Sequence, residues 1–150
     1  MAKREAGLHS QRSIAKPILG LTDFKTVILD FDNSKFKSVK YWSKKAMEKY
    51  DLGGFIILIS SKNSYHVVFN RYVSQGENRS VIAWAAIVSK NVSMLRYLAM
   101  QCIKGVSTVR ISEKNDKPPP RIVYRCGSQG NAIKDFLSYR QLIKWINHSL

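Results

Sequence analysis

The sequence predicts an α+β fold, a largely antiparallel sheet with helices packed on it, and three observations carry that expectation. Short apolar, β-prone runs recur at residues 24–32, 55–60, 65–72, 107–112 and 121–126. Between them, apolar residues fall at helical spacing, as at Val39, Trp42 and Ala46. The link Ser61-Lys62-Asn63-Ser64 has hairpin-turn composition. The order reads β-α-β-β-α-β-β-α.

Taken along the chain, residues 1–21 are basic and weakly patterned, with Pro17 and Gly20 as breakers, and read as a flexible arm. Residues 22–150 read as one domain. Residues 24–32 form a mostly apolar strand suited to the centre of a sheet. Ser38 is the expected N-cap of a helix running to about Tyr50, and Gly53-Gly54 breaks the chain before the next two strands. Residues 75–78 read as a loop. A helical region then covers about 79–103, with a break near 89–92 and a buried stripe of Met94, Leu95, Leu98 and Cys102. Gly105 stops it. Two strands follow, joined by a Pro-rich turn over 113–120. Asn131 is the expected cap of a last helix whose apolar face carries Ile133, Phe136, Leu137, Leu142 and Trp145.

Charge narrows the class. The 150 residues hold 25 Lys and Arg against 10 Asp and Glu, a net charge of +15, with 45% hydrophobic residues. That apolar share supports a packed core and argues against disorder. A charge this large repels itself, and a polyanion such as nucleic acid is its usual counterpart. The longest apolar runs fall well short of the roughly 18 residues that would suggest a membrane span, and the expectation is no membrane partner. Cys102 and Cys126 have no metal-ligand spacing and are too few for a disulfide scaffold. The expected location is therefore cytoplasmic, with reduced thiols.

Three places can carry chemistry. Asp30-Phe31-Asp32 ends an apolar strand, and residues two apart on a strand point to one face. Paired carboxylates suit a hard cation such as Mg²⁺ or Mn²⁺; the alternative is a simple solvated strand end. In Ser64-Tyr65-His66-Val67-Val68-Phe69 a polar turn enters a strand with one histidine, a phosphate contact or a satisfied core histidine. Arg110, Ser112 and Lys114 follow one another on a strand and its end, placed to converge on phosphates, or else to form an exposed basic hairpin. A second histidine is missing from the slots Ser64 and Val68, which disfavours a rolling-circle nuclease. Gly127-Ser128-Gln129-Gly130 lacks the Lys and Ser/Thr of a phosphate-binding glycine loop.

In this order, the three places resemble the archaeo-eukaryotic primase superfamily, over about residues 24–125. Ile28-Leu29-Asp30-Phe31-Asp32 is similar to its acid-x-acid strand, Ser64 to Phe69 to its histidine strand, and Arg110-Ile111-Ser112 with Lys114 to its later basic strand. The resemblance implies a primase-like fold with an RRM-like half, and template-dependent nucleotidyl transfer in DNA replication by two metal ions, Mg²⁺ or Mn²⁺. Asp30 and Asp32 would be the catalytic metal ligands. His66, Ser64, Arg110, Ser112 and Lys114 would bind the nucleoside triphosphate. Lys62, Arg71, Lys117 and Arg121 would hold the nucleic acid. The implied partners are a DNA template, an RNA primer, nucleoside triphosphates and other replication proteins. One departure matters: residues 101–106 contain no acid where active members carry a third one. The alternative expectation is thus a non-catalytic nucleic-acid-binding accessory subunit with a degenerate primase fold. A metal-dependent nuclease is disfavoured, because residues 55–60 lack an acid-x-Lys.

Overall fold

The computed structural model describes residues 19–23 and 25–149. The expected arm falls mostly on residues 1–18, outside the described residues. The elements are β1 (Gly20–Asp23), β2 (Thr26–Phe31), α1 (Phe36–Tyr50), β3 (Gly54–Ser61), β4 (Ser64–Tyr72), α2 (Gln75–Ser89), α3 (Val92–Lys104), β5 (Ser107–Arg110), β6 (Arg121–Gly127) and α4 (Ala132–Ser149). Four strands form the main sheet in the order β2-β4-β3-β6, and β1 pairs with β5 in a second, two-stranded sheet. All these pairings are antiparallel. Because β4 lies antiparallel to both neighbours, β2 and β3 run parallel, linked by the crossover helix α1.

Both faces of the main sheet are covered, which explains why its strands read as continuous apolar runs rather than alternations. On one face Val27, Leu29, Phe31, Phe55, Ile57, Val67 and Phe69 pack with residues of α1, α2 and α3. On the other, Ile28, Ile56, Leu58 and Val68 pack against Val109, Ile111, Ile133 and Phe136. A second layer, β1, β5 and α4, covers the face opposite α1, α2 and α3. It also draws residues 19–21 out of the expected arm: Leu19 and Leu21 pack on this core, and β1 pairs Gly20 with Arg110.

Several local expectations shift. Lys35, not Ser38, occupies the N-cap of α1, without a side-chain cap bond. The expected loop at 75–78 is the first turn of α2, capped by the Ser74 hydroxyl accepting from the Glu77 N–H. This is half of a Ser-x-x-Glu capping box, a signal present in the sequence. The other half is absent because the Glu77 carboxylate turns to Arg71. The helical region breaks at Lys90, which adopts a left-handed φ of 54°. In α3 the buried stripe passes through Met94 and Gln101, while Leu95 and Cys102 face solvent. In α4 Ile133 and Phe136 are buried, but Leu142 and Trp145 are exposed. The α4 start is held from outside, where the buried Asn70 carboxamide oxygen accepts the N–H groups of Asn131 and Ile133. Among the described residues, no helix is long and apolar enough to cross a membrane.

Candidate functional site

The sheet register brings Asp30 and His66 together. They are direct cross-strand partners on β2 and β4. Side chains alternate along a strand, so both point away from Phe31, Tyr65 and the helical layer, toward the face of Ile28 and Val68. His66 Nδ1 lies 3.2 Å from Asp30 Oδ1, and the two side chains are 12% and 27% exposed. His66 Nε2 is buried without a hydrogen-bond partner. Buried polar atoms are normally satisfied, which makes this orphan nitrogen unusual.

Asp32 follows the strand end in the turn to α1. The Ser34 hydroxyl and the Asn91 side-chain amide both donate to its carbonyl oxygen, each at 3.0 Å. Asn91 also donates to Ser34 Oγ at 3.1 Å, while its own oxygen caps α3 by accepting the Met94 N–H. The Ser34 N–H in turn donates to the Asn63 carbonyl at 2.9 Å. The turn after Asp32 is therefore knitted to the β3–β4 hairpin tip, which carries the exposed Lys62. Tyr97 of α3 packs on the helical side of the sheet. Burial pushes its phenol up, Ser107 and Gln101 pull it back, and the Asp30 charge adds to the rise. Spacing along α3 marks Tyr97 only as a residue near the buried stripe, and Asn91 only as a helix cap. That Asn91 reaches the Asp32 carbonyl is a tertiary fact.

The third group of residues does not converge, and this corrects the sequence expectation. The Arg110 guanidinium is occupied by three backbone carbonyls: it donates to Ser60 at 2.9 Å, to Pro118 at 3.1 Å and to Ser112. Burial lowers its pKa. Arg110 thus laces β5 to the end of β3 and to the Pro-rich turn, rather than projecting toward a triphosphate. Ser112 lies beyond the strand end, its hydroxyl accepting the Leu19 N–H at 2.7 Å and donating to the Glu113 carbonyl. Lys114 and Lys117 bridge each other in the turn, both exposed. Ser64 opens β4, and its carbonyl accepts the Ser60 hydroxyl.

Of the residues expected at nucleic acid, Lys62, Lys117 and Arg121 are exposed. Arg71 is not available in the same way. Its guanidinium donates to the carbonyls of Asp51 at 2.8 Å and Tyr50 at 2.9 Å and pairs with Glu77. It caps the C-terminus of α1 and ties it to the start of α2, a structural role that the charge pattern alone does not reveal.

Asp30 on β2 and Asp32 just beyond it are the two carboxylates at this end of the strand. Two carboxylates at a strand end suit a hard divalent ion that completes its coordination with water and phosphate oxygens. An all-protein cage is a different matter, since among the described residues no three His, Cys, Asp or Glu side chains come together as a metal site. No family model, curated protein or solved structure matches the chain.

Proposed function

We propose that this chain is a template-dependent nucleotidyltransferase, a primase or primase-polymerase core, with its reacting centre at the Asp30–His66 corner. The observation that carries the reading is the cross-strand pairing of Asp30 with His66, with Asp32 at the end of the same strand. The β2-α1-β3-β4 arrangement, with β4 between two parallel strands, supports it as an RRM-like half. Asp30 and Asp32 would hold Mg²⁺ or Mn²⁺, which when bound supplies positive charge to activate a hydroxyl and steady the leaving phosphate. His66 orients the Asp30 carboxylate through Nδ1. Its orphan Nε2 is the group left to meet a phosphate oxygen, which requires neighbouring side chains to move because the atom is buried. Lys62, Lys117 and Arg121 add the positive field that draws a template. The cytoplasmic location, RNA primer and replication-protein partners belong to this reading as well.

A second reading, the non-catalytic accessory subunit, is favoured by the engagement of Arg110 and Ser112 and by the absent third acid. One assay separates them: nucleotide incorporation on single-stranded and primed DNA with ribo- or deoxynucleotides and either Mg²⁺ or Mn²⁺. Incorporation abolished by Asp30→Asn or Asp32→Asn, with template binding retained, is the expected result. Wild-type protein that binds DNA but incorporates nothing with either ion moves the chain to the accessory class.

A further inference from the structure

The outer surface of α1 and α2 lies across the sheet from Asp30 and His66, and it carries an aromatic groove bordered by lysines. Tyr41, Trp42 and Trp84 line a shallow depression of about 450 Å³ together with Lys45, Glu48 and Lys49. Its rings meet edge to face: Tyr41 and Trp42 at 4.9 Å and 81°, Trp42 and Trp84 at 6.3 Å and 78°. None of these rings stacks face to face on another. Tyr41 is 52% exposed, a large aromatic side chain left in water.

The charge around the groove is mainly positive, with Glu48 the one acid among its lining residues. Helix α1 carries Lys37, Lys40, Lys44, Lys45 and Lys49 against the single acid Glu48. Lys45 sits 5.8 Å from the Tyr41 ring centroid, and Lys49 sits 5.6 Å from that of Tyr50. The Lys45–Glu48 pair, at 3.8 Å and with both side chains at least half exposed, is weak and readily exchanged.

We infer that this groove binds single-stranded nucleic acid, with bases against Tyr41 and the tryptophan rings and phosphates on Lys44, Lys45 and Lys49. Stacking platforms set among lysines are the physical requirement for that ligand, because every base has a π-face and every linkage a charge. A duplex keeps its base faces stacked inside. An acidic polypeptide would use the lysines and leave the rings idle. The inference goes beyond the nucleotidyl-transfer reading, since the groove lies on the opposite side of the sheet and serves an enzyme or a non-catalytic binder alike.

The test is a fluorescence titration of the full chain. Trp145→Phe removes the third tryptophan, leaving Trp42 and Trp84 as reporters. An oligothymidylate of roughly 12 nucleotides should quench the signal, and a blunt hairpin duplex should not. Tyr41→Ala should weaken binding about tenfold, as loss of one stacked base would. The double change Lys45→Glu and Lys49→Glu should do at least as much, and Trp84→Phe should remove part of the quenching. Circular dichroism melts show that each variant is folded. Asp30→Asn is expected to keep the quenching, so failure of the catalytic reading leaves this result intact. Wild-type affinity in both the Tyr41 and the lysine variants overturns the proposal. So does equal quenching by polyglutamate or by anionic lipid vesicles at the same salt.

Discussion

The side-chain amide of Asn91 donates to the carbonyl oxygen of Asp32 at 3.0 Å, so the first residue before α3 holds the turn that follows β2. The same side chain caps α3 through its oxygen. These two jobs use different atoms and can be separated. Asn91→Asp keeps the cap acceptor, loses the donors and places a carboxylate against the Asp32 carbonyl. If the nucleotidyl-transfer reading holds, we expect it to retain α3 but to lower nucleotide incorporation by raising the requirement for metal. The measurement is incorporation rate against Mn²⁺ concentration; Asn91→Ser, with a hydroxyl able to donate, should recover part of it. A metal dependence unchanged by Asn91→Asp would leave Asn91 as a cap alone.

His66→Ala removes the partner of a carboxylate that is mostly shielded from water. The expected cost is about 1–3 kcal/mol of stability, the penalty of leaving a buried acceptor unsatisfied. If the nucleotidyl-transfer reading holds, the same change raises the nucleotide concentration needed for half-maximal incorporation more than it lowers the limiting rate. Urea melts and steady-state kinetics read the two effects independently.

Among the basic residues, free and engaged side chains should behave differently. Lys62→Ala, Lys117→Ala and Arg121→Ala are expected to leave the melting temperature unchanged. Each that contacts a phosphate should reduce the salt slope of DNA binding by about 1. Arg71→Ala should do the opposite, costing about 1–3 kcal/mol as the carbonyls of Tyr50 and Asp51 and the Glu77 carboxylate lose their donor. Its effect on the salt slope should be small.

Gly54→Ala should be among the most damaging single-methyl additions in the sheet. A Cβ there would lie 2.1 Å from the Ser128 carbonyl oxygen and 2.8 Å from that of Cys126. Both are backbone, so relief means displacing β6 from β3. We expect a loss of about 3 kcal/mol, read as a lower denaturant midpoint.

The Tyr72 hydroxyl donates to Asp135, joining β4 to α4. That bond, followed by burial, raises the phenol from 10.0 to about 12. A raised folded-state value means the bond stabilises below the unfolded value near 10 and stops doing so as pH rises through about 12. Tyr72→Phe should therefore lower stability at neutral pH by about 1 kcal/mol or less, the site being well exposed. The gap between variant and wild type should close between pH 10 and 12. Denaturant melts across that window check both parts.

Much of this architecture is written locally. Apolar, β-branched runs and the Lys62-Asn63 turn determine strands β2, β3 and β4, because burial of both sheet faces demands apolar residues at successive positions. The net charge of +15, the acid pair at a strand end and the histidine entering its strand are likewise plain in the sequence. What only the tertiary structure decided is which polar side chains are engaged. Arg71, Arg110 and Ser112 look like phosphate-binding groups in the one-dimensional chain. Each instead meets orphaned backbone groups at a helix end or strand end, where an unmet hydrogen bond costs more than a solvated charge gains. Asn91 reaches the Asp32 carbonyl, and Tyr41 shares a groove with Trp84, only because α1, α2 and α3 pack on one sheet face. A periodicity records that a helix has an inner side; the neighbours on either side are set by how separate elements meet, and no local spacing encodes that meeting.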